Sequence, residues 1–286
     1  MVSVTKKDIL KAYNRSSQSV NIKSLNNVVK NKEDFFFVNK STGLIFRNKK
    51  ISNSYTANQY SKLVFSKKKF TNFLYSDSIP AVKARHNYVY NTLNDFLDLN
   101  KKSLLDVGAG TGSFLGLIKN KNNIGIEPQK NNCLMMKKKG IKNHHGTLEN
   151  FNSKKKFDIV TFLWTLCNTY DPNLVINDAL KFTKKNSYIL IAESSRILVH
   201  PRKHLKNYVG TTPSYLCPYY FSLNQLKALL MINGFEVVFV NHYYDTDYLV
   251  VIGKKTKKKF KKYPGDNYKS ILNFFKLWNE IDKKIG

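Results

Sequence analysis

Cysteine is scarce in this chain: only Cys133, Cys167 and Cys217 occur, far apart and with no paired spacing. Such usage offers neither a disulfide framework nor a zinc ribbon, and it fits a reducing compartment, so a cytoplasmic protein is expected. Long hydrophobic runs are missing too. None approaches the roughly 20 residues of a membrane-crossing helix, and the opening MVSVTKKDILKAYNRSS has no secretory apolar core. Acidic residues are the third scarcity, with 19 Asp and Glu against 48 Lys and Arg and a formal net charge of +29. Lysine clusters neutralise phosphates, which points to an anionic partner, either nucleic acid or an anionic metabolite. A compositional cause competes with it, because the abundant Lys, Asn, Ile, Phe and Tyr match the codons of an AT-rich genome. That bias does not account for the few Asp and Glu, whose codons are also AT-rich.

At 286 residues one main domain with extensions is expected. From residue 103 onward, short apolar strands alternate with helical stretches, which is the pattern of a doubly wound α/β fold with a mainly parallel sheet. The candidate strands are SLLDV (103–107), NIGIE (123–127), IKNHH (141–145), FDIVTFL (157–163) and SYILIAE (187–193). SLNQLKALLMIN (222–233) reads as an amphipathic helix capped by Ser222 and closed by Gly234. FEVVFVN (235–241) and YLVVIGK (248–254) follow as an expected antiparallel pair at the sheet edge.

Residues 81–99 read as a helix leading into the first strand. Upstream, residues 1–78 form an expected N-terminal subdomain in which FFFVNKSTGLIFRN (35–48) makes a hairpin around a Ser-Thr-Gly turn. Residues 79–254 form the main domain. Residues 255–286 make a basic tail, in which KKTKKKFKK (254–262) leads to an amphipathic helix over 267–285 with Ile271, Leu272, Phe275, Trp278 and Ile281 on one side.

The informative loop is DVGAGTG (106–112), set between a strand and an expected helix. Gly108, Gly110 and Gly112 let a ligand approach the backbone where a Cβ would intrude, and amides at a following helix N-terminus attract a carboxylate or phosphate. Asp106 precedes the loop and Glu127 ends the second strand, where a carboxylate suits the paired hydroxyls of a ribose. A dinucleotide fingerprint requires GxGxxG, whereas Ser113 stands where its third glycine belongs.

Taken in order, SLLDVGAGTGSFLGLIK, NIGIEPQ, GTLENF and FDIVTFLWTLCNTYDP resemble the successive motifs of class I, Rossmann-like S-adenosylmethionine-dependent methyltransferases over roughly residues 81–254. The resemblance implies a seven-stranded sheet, S-adenosylmethionine as donor and no metal. It assigns Gly108, Ala109, Gly110 and Gly112 to the methionine part, Asp106 to that end of the site, and Glu127 with Pro128 to the ribose. Thr147 and Leu148 would border the adenine, with Thr147 standing where many relatives carry aspartate. Leu163 and Trp164 would flank the donor, and Arg85 would reach its carboxylate. FDIVTFLWTLCNTYDP is similar to the small-molecule branch that includes quinone O-methyltransferases and sugar methyltransferases, although Cys167-Asn168 replaces the Glu-His pair frequent there. FFFVNKSTGLIFRN with YTANQY (55–60) also looks like the remnant of a zinc module that precedes some sugar C-methyltransferases. Asn39 and Thr42 stand where cysteines would be, so any metal there is lost.

Methyl transfer from a sulfonium needs alignment above all, and a base only where the acceptor must lose a proton. The base candidates are His200 and His204 in HPRKH (200–204), together with Glu193 and Tyr219. A solvated loop and core packing are the competing readings of these positions. The leading expectation is transfer to a sugar, sugar nucleotide or related metabolite. The alternatives are an RNA or protein methyltransferase using the basic surface, membrane-surface association through the tail, and a binding protein that has kept the fold without activity.

Overall fold

The computed structural model describes residues 1–26, 28, 35–48, 80–194, 197–198, 204–206, 217–241 and 249–285. The N-terminal part contains β1 (Val2–Val4), α1 (Lys6–Tyr13), β2 (Ser19–Asn21), α2 (Lys23–Asn26), β3 (Phe36–Asn39) and β4 (Ile45–Arg47). Thr5 and Asp8 cap α1 reciprocally. Next come α3 (Pro80–Phe96), β5 (Leu104–Val107), β6 (Ile124–Glu127), α4 (Lys130–Lys138), β7 (Lys142–His145), β8 (Phe157–Leu163), α5 (Pro172–Ala179) and β9 (Thr183–Glu193). The chain closes with β10 (Tyr219–Tyr220), α6 (Leu223–Ile232), β11 (Phe235–Val240), β12 (Leu249–Lys255), β13 (Tyr263–Gly265) and α7 (Tyr268–Ile285).

Seven strands form the main sheet in the order β11-β12-β9-β8-β5-β6-β7. β8 pairs in parallel with β5 and β9, and β6 with β5 and β7, while β12 runs antiparallel between β9 and β11. The expected antiparallel pair is present, with β11 at one edge of the sheet and β7 at the other. Both faces of the sheet are covered because side chains alternate along each strand. Leu104, Ile159, Leu190 and Val250 face α3 and α4, whereas Leu105, Val160, Ile189 and Val251 face α1, α5 and α6. β9 starts at Thr183, earlier than the apolar run at 187 indicates, because Thr183 pairs with Phe157 across a register shift.

The hairpin at 35–48 forms as β3 and β4, and it joins a separate sheet ordered β10-β4-β3-β2. Asn39 is fully buried in its turn, where its side-chain oxygen accepts from the Ser41 and Thr42 amides at 3.1 and 3.0 Å. Across this sheet lies α7, which buries Ile271, Phe275 and Trp278 against Ile22, Phe36 and Ile45. Leu272 packs partly against them, but Ile281 is 42% exposed, so the expected apolar side of this helix stops at Trp278. β1 pairs with β13, tying the first residues of the chain to the segment before α7. Among the described residues no helix is long and apolar enough to cross a membrane.

Candidate active site

The carboxyl ends of β5, β6 and β8 converge on the glycine loop. Gly108, Gly110 and Gly112 all have positive φ, at 78, 55 and 76°. Two of them answer to the protein's own packing. A Cβ on Gly108 would lie 2.3 Å from the Thr165 hydroxyl oxygen, and one on Gly112 would lie 2.6 Å from Met136 Cγ. Gly110 differs, since a Cβ there meets nothing within 4 Å. Its left-handed backbone therefore faces open space, which is the place where a ligand can come against the main chain. Ala109 is held by its amide, which donates to the Ile126 carbonyl at 3.0 Å.

The long helix expected after this loop is replaced by a single 3-10 turn, Leu115–Leu117. Phe114, Leu115 and Ile118 are buried, and Gly116 followed by KNKNN gives the turn nothing to propagate. The amides facing the site thus belong to a tight loop, and no full helix dipole stands behind them.

Two buried carboxylates flank the loop. Asp106 accepts from the Thr161 hydroxyl at 2.7 Å, and burial pushes its pKa up to about 7, with the Glu127 charge adding to the rise. Thr161 lies directly opposite Asp106 in the β5–β8 ladder and is the one hydroxyl within FDIVTFL, which is the sequence signal that could have named it. Glu127 accepts from the Gly110 and Gln129 amides at 2.9 and 3.0 Å and from the Asn132 side chain at 3.3 Å. Burial nevertheless pushes its pKa up to about 7. Gln129 and Asn132, which orient this carboxylate, carried no signal in the sequence.

Further walls come from the neighbouring strand ends. Leu148 is buried, and the buried Thr147 hydroxyl has no hydrogen-bond partner among the described residues. His145 reaches the Pro128 carbonyl at 3.2 Å. Leu163 is buried, and Trp164 after it takes φ 50°, a conformation that costs a non-glycine residue about 1–3 kcal/mol. The Arg85 guanidinium lies 4.4 Å from the Trp164 ring centroid and the His86 ring 6.2 Å away, so α3 supports this strained residue from one side.

The proposed proton acceptors are placed differently from one another. Glu193 is 1% exposed and accepts the Cys167 amide at 3.1 Å, holding the turn at Leu166–Asn168, and burial pushes its pKa up to about 7. Cys167 itself stands beside Cys217, and that thiol, followed by burial and Glu193, keeps it protonated. Tyr219 is fully buried and donates to the Tyr170 carbonyl at 3.1 Å, with its pKa pushed up to about 12 by burial. His204 Nδ1 lies 3.5 Å from Asp282 of α7. His200 and Arg202 lie outside the described residues, as do Tyr215 and YTANQY. Arg47, which the sequence did not mark, is fully buried, donates to the Tyr220 hydroxyl at 2.9 Å and stacks 4.7 Å from the Phe36 ring.

Residues 83–240 match the family described as methyltransferase domain. Among solved structures, the Burkholderia thailandensis 1,6-didemethyltoxoflavin-N1-methyltransferase, holding 1,6-didemethyltoxoflavin and S-adenosylhomocysteine, is 13% identical with a TM-score of 0.55, and the match covers 80% of this chain and 98% of that one. The magnesium protoporphyrin IX methyltransferase of Synechocystis, with bound S-adenosylhomocysteine, is 15% identical with a TM-score of 0.52, covering 71% and 96%. A plantazolicin methyltransferase with S-adenosylhomocysteine is 17% identical with a TM-score of 0.52, covering 72% and 96%. Comparison with curated protein sequences gives no match.

Proposed function

The chain belongs to the methyltransferase-domain family and is an S-adenosylmethionine-dependent methyltransferase, and from that premise we propose that its acceptor is a small molecule, most simply a sugar, a sugar nucleotide or a related metabolite. The residues present fit the donor. The open side of Gly110 suits the methionine part, Glu127 is buried at the strand end where a ribose diol would meet it, and Asp106 adds a second negative charge beneath a cationic ligand. Thr147 and Leu148 would border the adenine, and Leu163 and Trp164 the opposite side. When bound, the donor supplies a methyl group already activated by a sulfonium, so the remaining task of these residues is alignment.

The observation that supports a small acceptor is the packing of the chain's own N-terminal part beside the segment that follows β8. β10 follows the long connection after β9 and is paired to β4, Tyr219 is bonded to the loop before α5, and Arg15 lies 4.9 Å from the Phe46 ring and 5.8 Å from the Tyr219 ring. N-terminal structure packed beside the strand ends in this way leaves less room for a polymer threading past the donor than for a metabolite. The 1,6-didemethyltoxoflavin enzyme, crystallised with its heterocyclic acceptor, is in keeping with that reading.

Within this proposal Glu193 is a positioning residue that fixes the turn carrying Cys167 and Asn168. The proton acceptor, where the acceptor chemistry needs one, is His200. Tyr219 is too weak an acid to be ionised at neutral pH, and His204 is directed to Asp282. The test is incubation with labelled donor and a panel of sugar nucleotides, quinone precursors and RNA. Label in a small-molecule pool is expected, and label in RNA alone overturns the proposal.

A further inference from the structure

At the opposite end of the sheet from the glycine loop, the strand ends carry a row of ammonium groups. Lys142 opens β7, Lys155 and Lys156 immediately precede β8, Lys184 is the second residue of β9, and Lys254 and Lys255 close β12. Because β12 is antiparallel to β9, its last residues lie level with the beginnings of the parallel strands, and Lys254 stands opposite Tyr188.

Three of these lysines are held in place by neutral acceptors. Lys155 donates to the Asn122 carbonyl at 2.6 Å, Lys156 to the Lys181 carbonyl, and Lys255 to the Thr183 hydroxyl at 2.7 Å. The acids of this edge already have other partners. Asp158 pairs with Lys184 at 2.8 Å, Asp178 with Lys181 at 2.7 Å, and Glu236 with Lys258 at 2.9 Å. Among the described residues, Lys142, Lys155, Lys156, Lys254 and Lys255 have no acidic partner. Lys155, Lys156 and Lys255 are thus held in place without an ion pair, and Lys254, opposite Glu236 in the β11–β12 ladder, has an acid nearby that is itself paired with Lys258. Partial burial and then the charges of Lys142 and Lys184 lower the pKa of Lys155, and partial burial and then Lys156 lower that of Lys255, so the groups are close enough to repel one another.

From β12 to β7 the row crosses the sheet through β9, β8, β5 and β6. At about 4.8 Å per strand it spans roughly 24 Å of sheet edge, wider than a single-phosphate pocket. Aromatic surface lies at its β12 end. The Lys254 ammonium is 5.9 Å from the Tyr188 ring centroid, and Phe96, 39% exposed, meets the same ring edge-on at 5.9 Å. Rows of cations with aromatic rings beside them bind single-stranded nucleic acid, the cations following phosphates and the rings stacking bases. A membrane surface would need an apolar anchor, and the amphipathic face of α7 is already buried against β3 and β4.

We propose that this edge of the sheet docks a single-stranded nucleic acid through Lys142, Lys155, Lys156, Lys254 and Lys255. The seven residues of β8 separate this edge from the glycine loop, about 23 Å at ~3.3 Å per residue. The nucleotides docked here thus lie away from the donor site, and the docked strand acts as a tether for an enzyme whose proposed acceptor is a small molecule.

The test measures fluorescence anisotropy of labelled polyuridine with the full chain across a salt series, alongside a variant carrying Lys142→Gln, Lys156→Gln and Lys254→Gln. The variant is expected to bind at least about tenfold more weakly, with a salt slope reduced by about 0.7 for each phosphate that is no longer neutralised. Binding of S-adenosylhomocysteine by calorimetry should be unchanged in the variant, which separates this edge from the donor site. A variant that fails to fold is replaced by the three single substitutions, each expected to lower the slope on its own. Equal affinity and slope in wild type and variants would overturn the proposal, as would binding to phosphatidylserine vesicles without binding to polyuridine.

Discussion

Gly108 and Gly110 share a left-handed backbone, yet their surroundings predict different failures. Gly108→Ala drives a Cβ into the Thr165 side chain, where 2.3 Å separates it from the hydroxyl oxygen. Adding about 1–2 kcal/mol for the αL backbone to about 1–3 kcal/mol for overpacking, the variant should lose about 2–5 kcal/mol of stability, read by denaturant unfolding. Gly110→Ala meets no protein atom and should lose only the backbone part. Its new methyl group occupies the space proposed for the donor, so S-adenosylhomocysteine affinity should fall far more than stability does. A calorimetric titration showing normal affinity in Gly110→Ala would remove this residue from the donor site. Glu127→Gln tests the carboxylate beside it. A neutral amide loses about one of the charge-assisted bonds that a diol would make, about 1.5–3 kcal/mol, so donor affinity is expected to fall about 10- to 100-fold. Its NH2 also faces a Gly110 or Gln129 amide that the carboxylate accepts, so the unfolding midpoint should fall as well.

Elements divide according to how much of their form is local. β5, β6 and β8 were legible within a residue because a short apolar run between polar breaks is a local pattern, whereas β7, Lys-Asn-His-His, has no apolar run and was placed by the alternation of the fold. α6 was equally clear, for Ser222 accepts the Gln225 amide and Gly234 takes φ 80° just beyond the end. The helix absent after the glycine loop is a failure of reading the loop as the opening of a strand–loop–helix unit. Residues 113–122 contain a glycine and four asparagines or lysines in a row, and the local physics prevailed. β10 was illegible for another reason. Two tyrosines have no periodicity, and they become a strand only because Tyr219 and Tyr220 find Phe46 and Ile45 across a long sequence gap. At the site the loop and Glu127 were readable as motifs, whereas the engagement of Glu193 with the Cys167 amide is tertiary and left no trace in the sequence. The tail helix supplies the prediction at this scale. Trp278 is 1% exposed and stacks on Phe275 at 6.1 Å. Trp278→Ala should therefore cost about 3–5 kcal/mol, read as a lowered thermal midpoint, while Ile281→Ala, at an exposed position, should change little.

For the whole molecule the consequence of these placements is a response to pH. Asp106, Glu127 and Glu193 are all buried with pKa values pushed up to about 7, well above those of carboxylates in an unfolded chain. A group whose folded pKa is raised contributes stability that is fully present below its unfolded pKa and is lost as pH rises through the folded value. Protein without ligand should therefore be more stable near pH 5 than near pH 8 through these three groups, as thermal melts at matched ionic strength would show. The donor reverses part of this trend. Its sulfonium and ammonium charges favour ionised Asp106 and Glu127, so binding should release protons and affinity should rise with pH between about 6 and 8. S-adenosylhomocysteine has the ammonium but no sulfonium, so its affinity should rise less steeply than that of S-adenosylmethionine over the same interval. Calorimetry in buffers of different ionisation enthalpy measures the released protons directly. If the two ligands release equal numbers, the sulfonium does not sense these carboxylates and the proton release answers to the ammonium alone; if neither releases any, their burial serves the fold rather than the recognition of a cation.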